Sequence, residues 1–343
     1  MTRTKLPRLD LGKLEKVVER FSSLRLLVVG DVMIDEYFWG DVDRVNPEAP
    51  VPVVRVKSES TALGGAGNVL RNIAALGVKG VLCSIVGNDY AGGQVTSLVS
   101  DLGFDPNTLI RVDDRLTTQK TRVGARSQQM LRFDRETDLP IDRQLETAML
   151  ALVDSSLDKT DGVILEDYGK GVLTPFLVRG VIKRAKTRGL GVSVDPKFEI
   201  NMYKGASFIK PNLREVEALA GFPLKDRADL VKAVFRIRKR VGGSPVIVTR
   251  GAEGMTVFEE MEDGLDVPAA RSEVFDVQGA GDTSIVALTL ARLAGANLVE
   301  AAVIANAAAS VVVGKLGTAT ASLDEIRDLL PQSVESARSV RST

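Results

Sequence analysis

The residues best suited to chemistry lie near the C-terminal end of the chain, where residues 276–283 read DVQGAGDT. Gly279, Ala280 and Gly281 have little or no side chain, so their backbone N–H groups can approach an anion. An apolar helical stretch follows at 284–293, and the start of a helix adds positive potential. Asp282, in the predicted first turn, could take a proton from a hydroxyl group or could simply cap the helix.

A second glycine-rich turn, GGAGN at residues 64–68, also opens a predicted helix. Its spacing does not fit the G-x-G-x-x-G pattern of dinucleotide-binding proteins, which argues against an NAD-dependent oxidoreductase. The Gly-Lys pairs at 12–13, 169–170 and 314–315 are not followed by Ser or Thr, so none of them is a Walker motif. Taken alone, a turn of this kind is weak evidence for a binding site.

Two further segments could contact phosphates. Asn212 and Glu215 are three residues apart at a strand-to-helix junction and share a face. They could order the water shell of a phosphate-bound magnesium ion, or they could form an ordinary capping box. Residues 249–254 (TRGAEG) form a turn after a predicted strand, or a loop over nucleotide phosphates.

The composition excludes several classes of protein. The chain of 343 residues has no histidine and one cysteine, Cys83, which excludes Ser-His-Asp catalysis, histidine metal ligands and an internal disulfide. Its formal net charge is zero, so no general binding to nucleic acid is expected. No signal peptide is visible, and the most apolar stretch, 301–313, is too short to span a bilayer. We therefore expect a cytoplasmic protein without membrane contact.

Short apolar runs alternate with amphipathic segments along most of the chain. The runs predict strands at 24–29, 81–86, 162–165, 191–194, 207–209 and 246–249, and helices are predicted at 11–22, 68–76, 174–187, 213–220 and 228–240. Continuous apolar strands between helices are typical of an α/β fold with a doubly wound, mostly parallel sheet flanked by helices. Ligands of such folds lie beyond the C-terminal ends of the strands.

Two segments, about 35–60 and 115–135, depart from this alternation. Residues 118–134 have a period of two, which predicts a strand with Arg122, Arg126 and Arg132 on one face. Together the two segments could form a small β-lid, or an ordinary edge sheet with a solvated arginine face. We expect one domain over residues 1–343, with a core at about 24–325 and a frayed tail at 332–343.

The order and spacing of these elements resemble those of the ribokinase-like (PfkB) carbohydrate kinases over residues 24–325. Within that family the chain is similar to the D-glycero-β-D-manno-heptose-7-phosphate kinases, the kinase halves of the bifunctional heptose proteins of ADP-heptose synthesis. The segments that carry this closer resemblance are VGDVMID at 29–35, PEAPVPVV at 47–54, Gln128-Gln129 with Arg132, DYGKG at 167–171, and ANAAA at 305–309 with VGKLGT at 313–318.

The resemblance implies transfer of the γ-phosphate of ATP to the C1 hydroxyl of heptose 7-phosphate, with Asp282 as the base and the N–H groups of Gly279, Ala280 and Gly281 around the phosphoryl group. It implies magnesium with Glu215 in its outer shell, through water, and leaves open a need for a monovalent cation. The sugar-phosphate side is expected to comprise Asp31, Gly64, Gly65, Asn68, Arg122, Arg126, Gln128, Arg132, Asp167, Lys170, Asp195 and Lys197. The nucleotide side is expected to comprise Asn212, Glu215, Thr249, Arg250, Gly251, Gly254, Asn306 and Ala309.

The chain departs from the family pattern at two positions. Gln278 stands where the family usually has Thr, and Glu166 stands where a small residue is expected before Asp-Tyr. Because the nucleotidyltransferase motif needs histidines, the adenylyl transfer step is expected to belong to another protein. The resemblance also implies a homodimer formed through the lid, because the lids of this subfamily commonly pair. The alternatives are a ribokinase-like kinase for ribose, fructose 1-phosphate or a nucleoside, and a non-catalytic regulator that binds a sugar or nucleotide.

Overall fold

The predicted apolar runs form the strands of a large sheet. The computed structural model describes residues 6–126, 128–259, 263–270, 274–315 and 317–339. Its strands are β1 (Arg25–Gly30), β2 (Val32–Val45), β3 (Pro52–Gly65), β4 (Lys79–Gly87), β5 (Leu109–Val112), β6 (Thr118–Ala125), β7 (Gln128–Arg135), β8 (Gly162–Glu166), β9 (Gly191–Asp195), β10 (Phe208–Ile209), β11 (Val246–Thr249), β12 (Met255–Phe258) and β13 (Leu265–Val267). The main sheet has the order β13-β12-β11-β10-β9-β8-β1-β4-β5 and is parallel except for the pairs that involve β12.

Helices cover both faces of this sheet. They are α1 (Leu11–Glu19), α2 (Ala66–Ala75), α3 (Tyr90–Asp101), α4 (Arg143–Leu157), α5 (Pro175–Thr187), α6 (Leu213–Ala220), α7 (Arg227–Arg240), α8 (Ala280–Leu293), α9 (Leu298–Val313) and α10 (Leu323–Ser339). The buried side chains of α1, α2, α3, α8, α9 and α10 belong to one core, and those of α4, α5, α6 and α7 to the other. This confirms the predicted ribokinase-like α/β fold.

Strand β1 shows why the buried strands appear in the sequence as continuous runs of apolar residues. Leu26 and Val28 pack into the core on one face of the sheet, and Leu27 and Val29 pack into the core on the other. All four side chains are fully buried. Since successive side chains point to opposite faces, a strand with a core on both sides has no solvent-facing position for a polar residue.

A second, four-stranded sheet has the order β3-β2-β6-β7 and brings the two irregular segments of the sequence together. The predicted single alternating strand at 118–134 is wrong in one respect, because it is a hairpin of β6 and β7. Arg122 and Arg132 lie opposite each other and share a face, as expected. Arg126 is instead in the connecting turn, with a left-handed φ of 57°. The period-two pattern of the sequence could not reveal this turn, since the side chains before and after it follow the same alternation.

The C-terminal segment is more ordered than its polar composition suggested. Residues 332–339, predicted as part of a frayed tail, are the end of α10, where Val334 and Ala337 are buried in the core that includes α1. Residues 340–343 lie outside the described part of the chain. Within the described ranges, no helix combines the length and the apolar character needed to cross a membrane.

Candidate active site

Asp282 lies in the first turn of α8 and is held by two side chains from distant parts of the sequence. Asn68 Nδ2, in the first turn of α2, donates to Asp282 Oδ2 over 2.6 Å. The hydroxyl of Tyr168, just beyond β8, donates to Asp282 Oδ1 over 2.8 Å. The carboxylate is 6% exposed. Gly279 precedes the helix with φ 78°, which is the left-handed turn that the glycine permits.

Burial raises the pKa of Asp282 above its ordinary value, because removal from water disfavours the charged form. The hydrogen bonds from Asn68 and Tyr168 and the charge of Lys210 oppose this effect and offset only part of it. A carboxyl group with a raised pKa, fixed at the start of a helix, is suited to accept a proton from a hydroxyl group next to a bound anion.

Charged residues at the ends of β8, β9 and β10 form the floor of the site. Lys210, fully buried, donates to Asp195 Oδ2 over 2.7 Å. Burial raises the pKa of Asp195 to about 7, with Lys210 opposing the shift, and burial raises the pKa of Glu166 well above its usual range. A Cβ atom placed on Gly281 would lie 3.8 Å from Lys210 Nζ. The ammonium group is therefore beside the turn that precedes Asp282, although sequence reasoning gave it no role.

The candidate catalytic turn opens into a cleft of about 1090 Å³. All of the residues expected on the nucleotide side line this cleft, together with the catalytic turn and three of those expected on the sugar side. These residues are Asn212, Glu215, Thr249, Arg250, Gly251, Gly254, Asn306, Ala309, Gly279, Ala280, Gly281, Asp282, Asp167, Asp195 and Lys197. Sequence positions more than a hundred residues apart thus share one cavity.

Several of these residues also have structural roles. Asn212 and Glu215 form a reciprocal capping box at the start of α6, and Lys197 donates to the second oxygen of Glu215 over 3.2 Å. The capping interpretation of this motif is therefore confirmed. Arg250 is turned toward Asp266, 2.9 Å away, and Asn306 Nδ2 donates to the carbonyl groups of residues 267 and 268. These contacts hold the cleft walls in place.

Asp31, expected to contact the sugar, is placed differently. It is 1% exposed, and its two carboxylate oxygens accept hydrogen bonds from the backbone N–H groups of Tyr168, Lys170 and Val172. Asp31 therefore fixes the loop that carries Tyr168. Asp35, four residues along β2, lies beside Gly64, where an added Cβ would be 2.2 Å from Asp35 Oδ2. The sequence pattern did not single out Asp35, since the two carboxylates lie only four positions apart in one short stretch.

Basic side chains of the second sheet approach the site from the other side. Arg122, on β6, forms an ion pair with Asp35 at 2.6 Å and lies over the ring of Tyr37. Lys120 lies over the ring of Tyr168, the residue whose hydroxyl contacts Asp282. Arg122 thus contacts the Asp35 carboxylate directly, and only the side chain of Tyr168 separates Lys120 from the Asp282 carboxylate.

The other predicted sugar-side residues are further from this centre or already paired. Arg132 binds Asp134, Lys170 binds Glu136, and Arg126 and Gln128 are exposed at the hairpin turn. Asp167 accepts the hydroxyl hydrogen of Tyr203, and burial raises its pKa to about 6. Gly65 immediately precedes α2 with φ 58°, and Asn68 contacts Asp282 directly.

Arg71 is a further basic group that the sequence analysis missed. It lies on α2, one turn beyond Asn68, and its Nη1 donates to Asn68 Oδ1 and Thr318 Oγ1 over 3.0 and 3.2 Å. Burial lowers the pKa of Arg71, and the charges of Tyr37, Asp35 and Asp282 oppose the shift. The signal was available, since Arg71 and Asn68 share a helix face, but an isolated arginine in a helix carries no motif.

Comparisons with known proteins identify the family of the chain. Residues 23–326 match the pfkB family of carbohydrate kinases. The chain is 43% identical over 311 residues to a protein of Desulfatibacillum aliphaticivorans called bifunctional protein HldE, with 90% of this chain and 64% of that protein covered. It is also 43% identical to the bifunctional protein HldE of Wolinella succinogenes, with 91% and 66% covered. The chain thus spans slightly less than two thirds of these relatives.

Solved structures share the fold at lower identity. Ribokinase of Arabidopsis thaliana complexed with ribose and ATP is 21% identical, with a TM-score of 0.68 and coverage of 91% of this chain and 99% of that one. Phosphofructokinase-2 of Escherichia coli in complex with potassium is 21% identical, with a TM-score of 0.73 and coverage of 90% and 99%. By its sequence match and its fold, the chain belongs to the pfkB family of carbohydrate kinases, phosphotransferases that act on a sugar hydroxyl group.

Proposed function

We propose that this chain transfers the γ-phosphate of ATP to the C1 hydroxyl of D-glycero-β-D-manno-heptose 7-phosphate and so forms the 1,7-bisphosphate, in the synthesis of ADP-heptose and the lipopolysaccharide core. The observation that carries this proposal is the buried Asp282, which lines the cleft and contacts Tyr168, whose ring lies against Lys120 of the second sheet. The relatives called bifunctional protein HldE support the same subfamily as the heptose-kinase resemblance of the sequence.

In this proposal Asp282 removes the proton from the attacking hydroxyl as the oxygen–phosphorus bond forms. The bond from Asn68 fixes one carboxylate oxygen and the bond from Tyr168 fixes the other, so the base cannot rotate away from the hydroxyl. The N–H groups at the start of α8 and the ammonium group of Lys210 stabilise the negative charge of the transferred group. The proton passes from the sugar to Asp282, and ADP leaves with the bridging oxygen.

The 7-phosphate of the sugar requires cations at a distance from the reacting hydroxyl. Arg122 and Arg71 are the candidates that the geometry favours, because Arg122 is only 13% exposed and both lie near Asp35. Lys120 adds a third positive charge. Asp35, in place of Asp31, then accepts hydrogen bonds from the sugar hydroxyls with Asn68. Arg126 and Arg132, the other predicted lid arginines, have an accessory role in this assignment.

The nucleotide occupies the cleft lined by Thr249, Arg250, Gly251, Asn306 and Ala309. Asn212 and Glu215 fit an outer-shell role toward magnesium, since a carboxylate or amide oxygen that caps a helix can still accept a hydrogen bond from a metal-bound water. When bound to the phosphates, magnesium neutralises part of their charge.

The second sheet is also the proposed surface for a homodimer. The face of β7 opposite to Arg132 carries Leu131 and Phe133, which are 57% and 42% exposed. Exposed apolar side chains next to each other on an edge strand are unusual in a monomer and favour contact with a second chain.

The proposal is tested by measuring ADP release with ATP and magnesium over a panel of acceptors. The panel contains D-glycero-D-manno-heptose 7-phosphate, the same sugar without phosphate, ribose, fructose 1-phosphate and adenosine. Turnover with the heptose phosphate alone is expected. Turnover with another acceptor would support the kinase activity but contradict the proposed heptose phosphate substrate. ATP binding without turnover on any acceptor would instead favour a regulator.

A further inference from the structure

Three carboxylates meet at the floor of the cleft. They come from Glu166 at the end of β8, Asp195 at the end of β9 and Asp282 in α8, and one oxygen of each lies within 4.8 Å of the others. Parallel strands place their C-terminal residues at one edge of the sheet, so neighbouring strands that end in acidic residues bring like charges together. Such a cluster is costly unless something compensates the charge.

Glu166 is the member of this group that lacks compensation. Its side chain is 1% exposed, and among the described residues its Oε2 atom has no hydrogen-bond partner. Lys210, the nearest buried ammonium group, makes its contact with Asp195 instead. A buried polar atom without a partner costs free energy on the order of a few kcal/mol, and a native site normally supplies a partner from protein, water or ion. This atom therefore points to a ligand on the cleft floor.

The charges around the site indicate the sign and size of that ligand. Four carboxylates and two ammonium groups surround the floor: Glu166, Asp195, Asp282, Glu215, Lys210 and Lys197. In the ionised state that a bound cation favours, two negative charges remain uncompensated, whereas without a cation the raised pKa of Glu166 favours its protonated form. A divalent cation balances this excess, and oxygen ligands of this kind suit magnesium or manganese.

We propose that Glu166 and Asp195 bind a divalent cation of the magnesium or manganese class directly, beside Asp282. Two oxygens on opposite sides of magnesium, each at about 2.0–2.1 Å, are about 4.2 Å apart, so two oxygens within 4.8 Å of each other reach these positions by approaching at most about 0.6 Å. The oxygens of Asp282 already accept hydrogen bonds from Asn68 and Tyr168, which leaves Asp282 as a neighbour and a base.

This site differs from the one formed by Asn212 and Glu215, whose side-chain oxygens are used in the capping box and in the contact with Lys197. It also differs in coordination, because the cation contacts carboxylates directly and keeps waters at its other positions. Magnesium in proteins is commonly held by one or two carboxylates and completed by phosphate oxygens. The cleft opens toward Gly279–Asp282, so a phosphate group can complete this shell.

The proposal is tested without nucleotide or sugar, which makes it independent of the substrate proposed above. Free Mn²⁺ is titrated into the full chain and followed by electron paramagnetic resonance, and the effect of Mg²⁺ on the thermal unfolding midpoint is measured in parallel. We expect one bound Mn²⁺ in the original protein and at least about tenfold weaker binding in Glu166→Gln and Asp195→Asn. Mg²⁺ should raise the unfolding midpoint of the original protein and not that of Glu166→Gln.

Glu146→Gln is the matched control, because Glu146 is also a buried glutamate but has Thr174 and Arg143 as partners on α4 and its neighbours. It should bind Mn²⁺ like the original protein. The proposal is overturned if the original protein binds no Mn²⁺, or if Glu166→Gln and Asp195→Asn bind it unchanged. It is also overturned if Glu215→Gln removes binding while Glu166→Gln keeps it, since the cation then belongs to the capping-box site.

Discussion

Asn68 and Asp282 are 214 positions apart in the sequence, yet Asn68 Nδ2 donates to Asp282 Oδ2 over 2.6 Å. Each residue lies in the first turn of a helix that begins after a glycine-rich turn, so the two most distinctive motifs of the chain meet at one hydrogen bond. Because α2 and α8 pack against each other, neither motif can be displaced without moving the other.

The first prediction concerns the base. Asp282→Asn should lower kcat by roughly 10²–10⁴-fold with little change in KM, since it removes the proton acceptor and keeps the shape of the side chain. The amide can still accept from Asn68 and donate to the Tyr168 oxygen. Steady-state kinetics with saturating ATP measures the effect, and an unchanged kcat would remove Asp282 from the mechanism.

The second prediction concerns pH. Since burial raises the pKa of Asp282, the base becomes protonated, and kcat falls, at a pH above the ordinary aspartate value of about 3.9. Tyr168→Phe removes a hydrogen bond that stabilises the ionised form, so the acid limb of the kcat profile should move to higher pH. Tyr203→Phe removes a comparable hydroxyl from Asp167 and should leave the limb in place. Equal displacement in both variants would contradict the assignment.

The third prediction concerns the sugar phosphate. Arg71→Ala and Arg122→Ala should each raise KM for the phosphorylated sugar by about tenfold or more and leave KM for ATP unchanged, because hydrogen bonds to charged groups contribute about 1.5–3 kcal/mol. Arg126→Ala should change neither value, since that residue lies in the exposed hairpin turn. A larger effect at Arg126 than at Arg122 would restore the assignment made from the sequence pattern.

The sequence predicted much of the fold and less of the site, for reasons visible in single residues. The strand that ends at Val29 could be predicted because burial on both faces leaves a continuous apolar run. The position of Asp282 in the first turn of a helix could be predicted because small residues precede an apolar helical stretch. Asp35 and Arg71 could not, since their roles come from neighbours that only the tertiary structure provides. The motif of Asn212 and Glu215 could be predicted in both of its interpretations, because the two residues form a capping box and also line the cleft.

A fourth prediction tests the glycine-rich turn before α2. Gly65 has φ 58°, and an added Cβ would lie 2.4 Å from the backbone oxygen of Asp31. Gly103 has φ 81°, but an added Cβ would meet nothing within 4 Å. Gly103→Ala should therefore lose about 1–2 kcal/mol from backbone strain alone, and Gly65→Ala clearly more. Denaturant unfolding measures both, and equal losses would show that the clash at Gly65 is relieved.

The fifth prediction tests the homodimer. The double change Leu131→Asp and Phe133→Asp should convert a dimer to a monomer in sedimentation equilibrium, because it places charges in an apolar contact. Phe235→Asp, at a position that is 63% exposed on α7, is the control and should leave the association state unchanged. A monomeric original protein at micromolar concentration would contradict the proposed interface.

Gln278, which stands where related kinases usually have Thr, has a hydrogen-bond partner in the second sheet. Gln278 Oε1 accepts the hydroxyl hydrogen of Tyr37, 2.9 Å away, so a residue of β2 in the second sheet is joined to the turn that precedes Asp282. The second sheet cannot swing away from the main sheet without breaking this bond. Under the proposed function we therefore expect sugar binding and phosphate binding to be coupled through this contact, and by thermodynamic reciprocity each ligand would then alter the affinity for the other by the same factor.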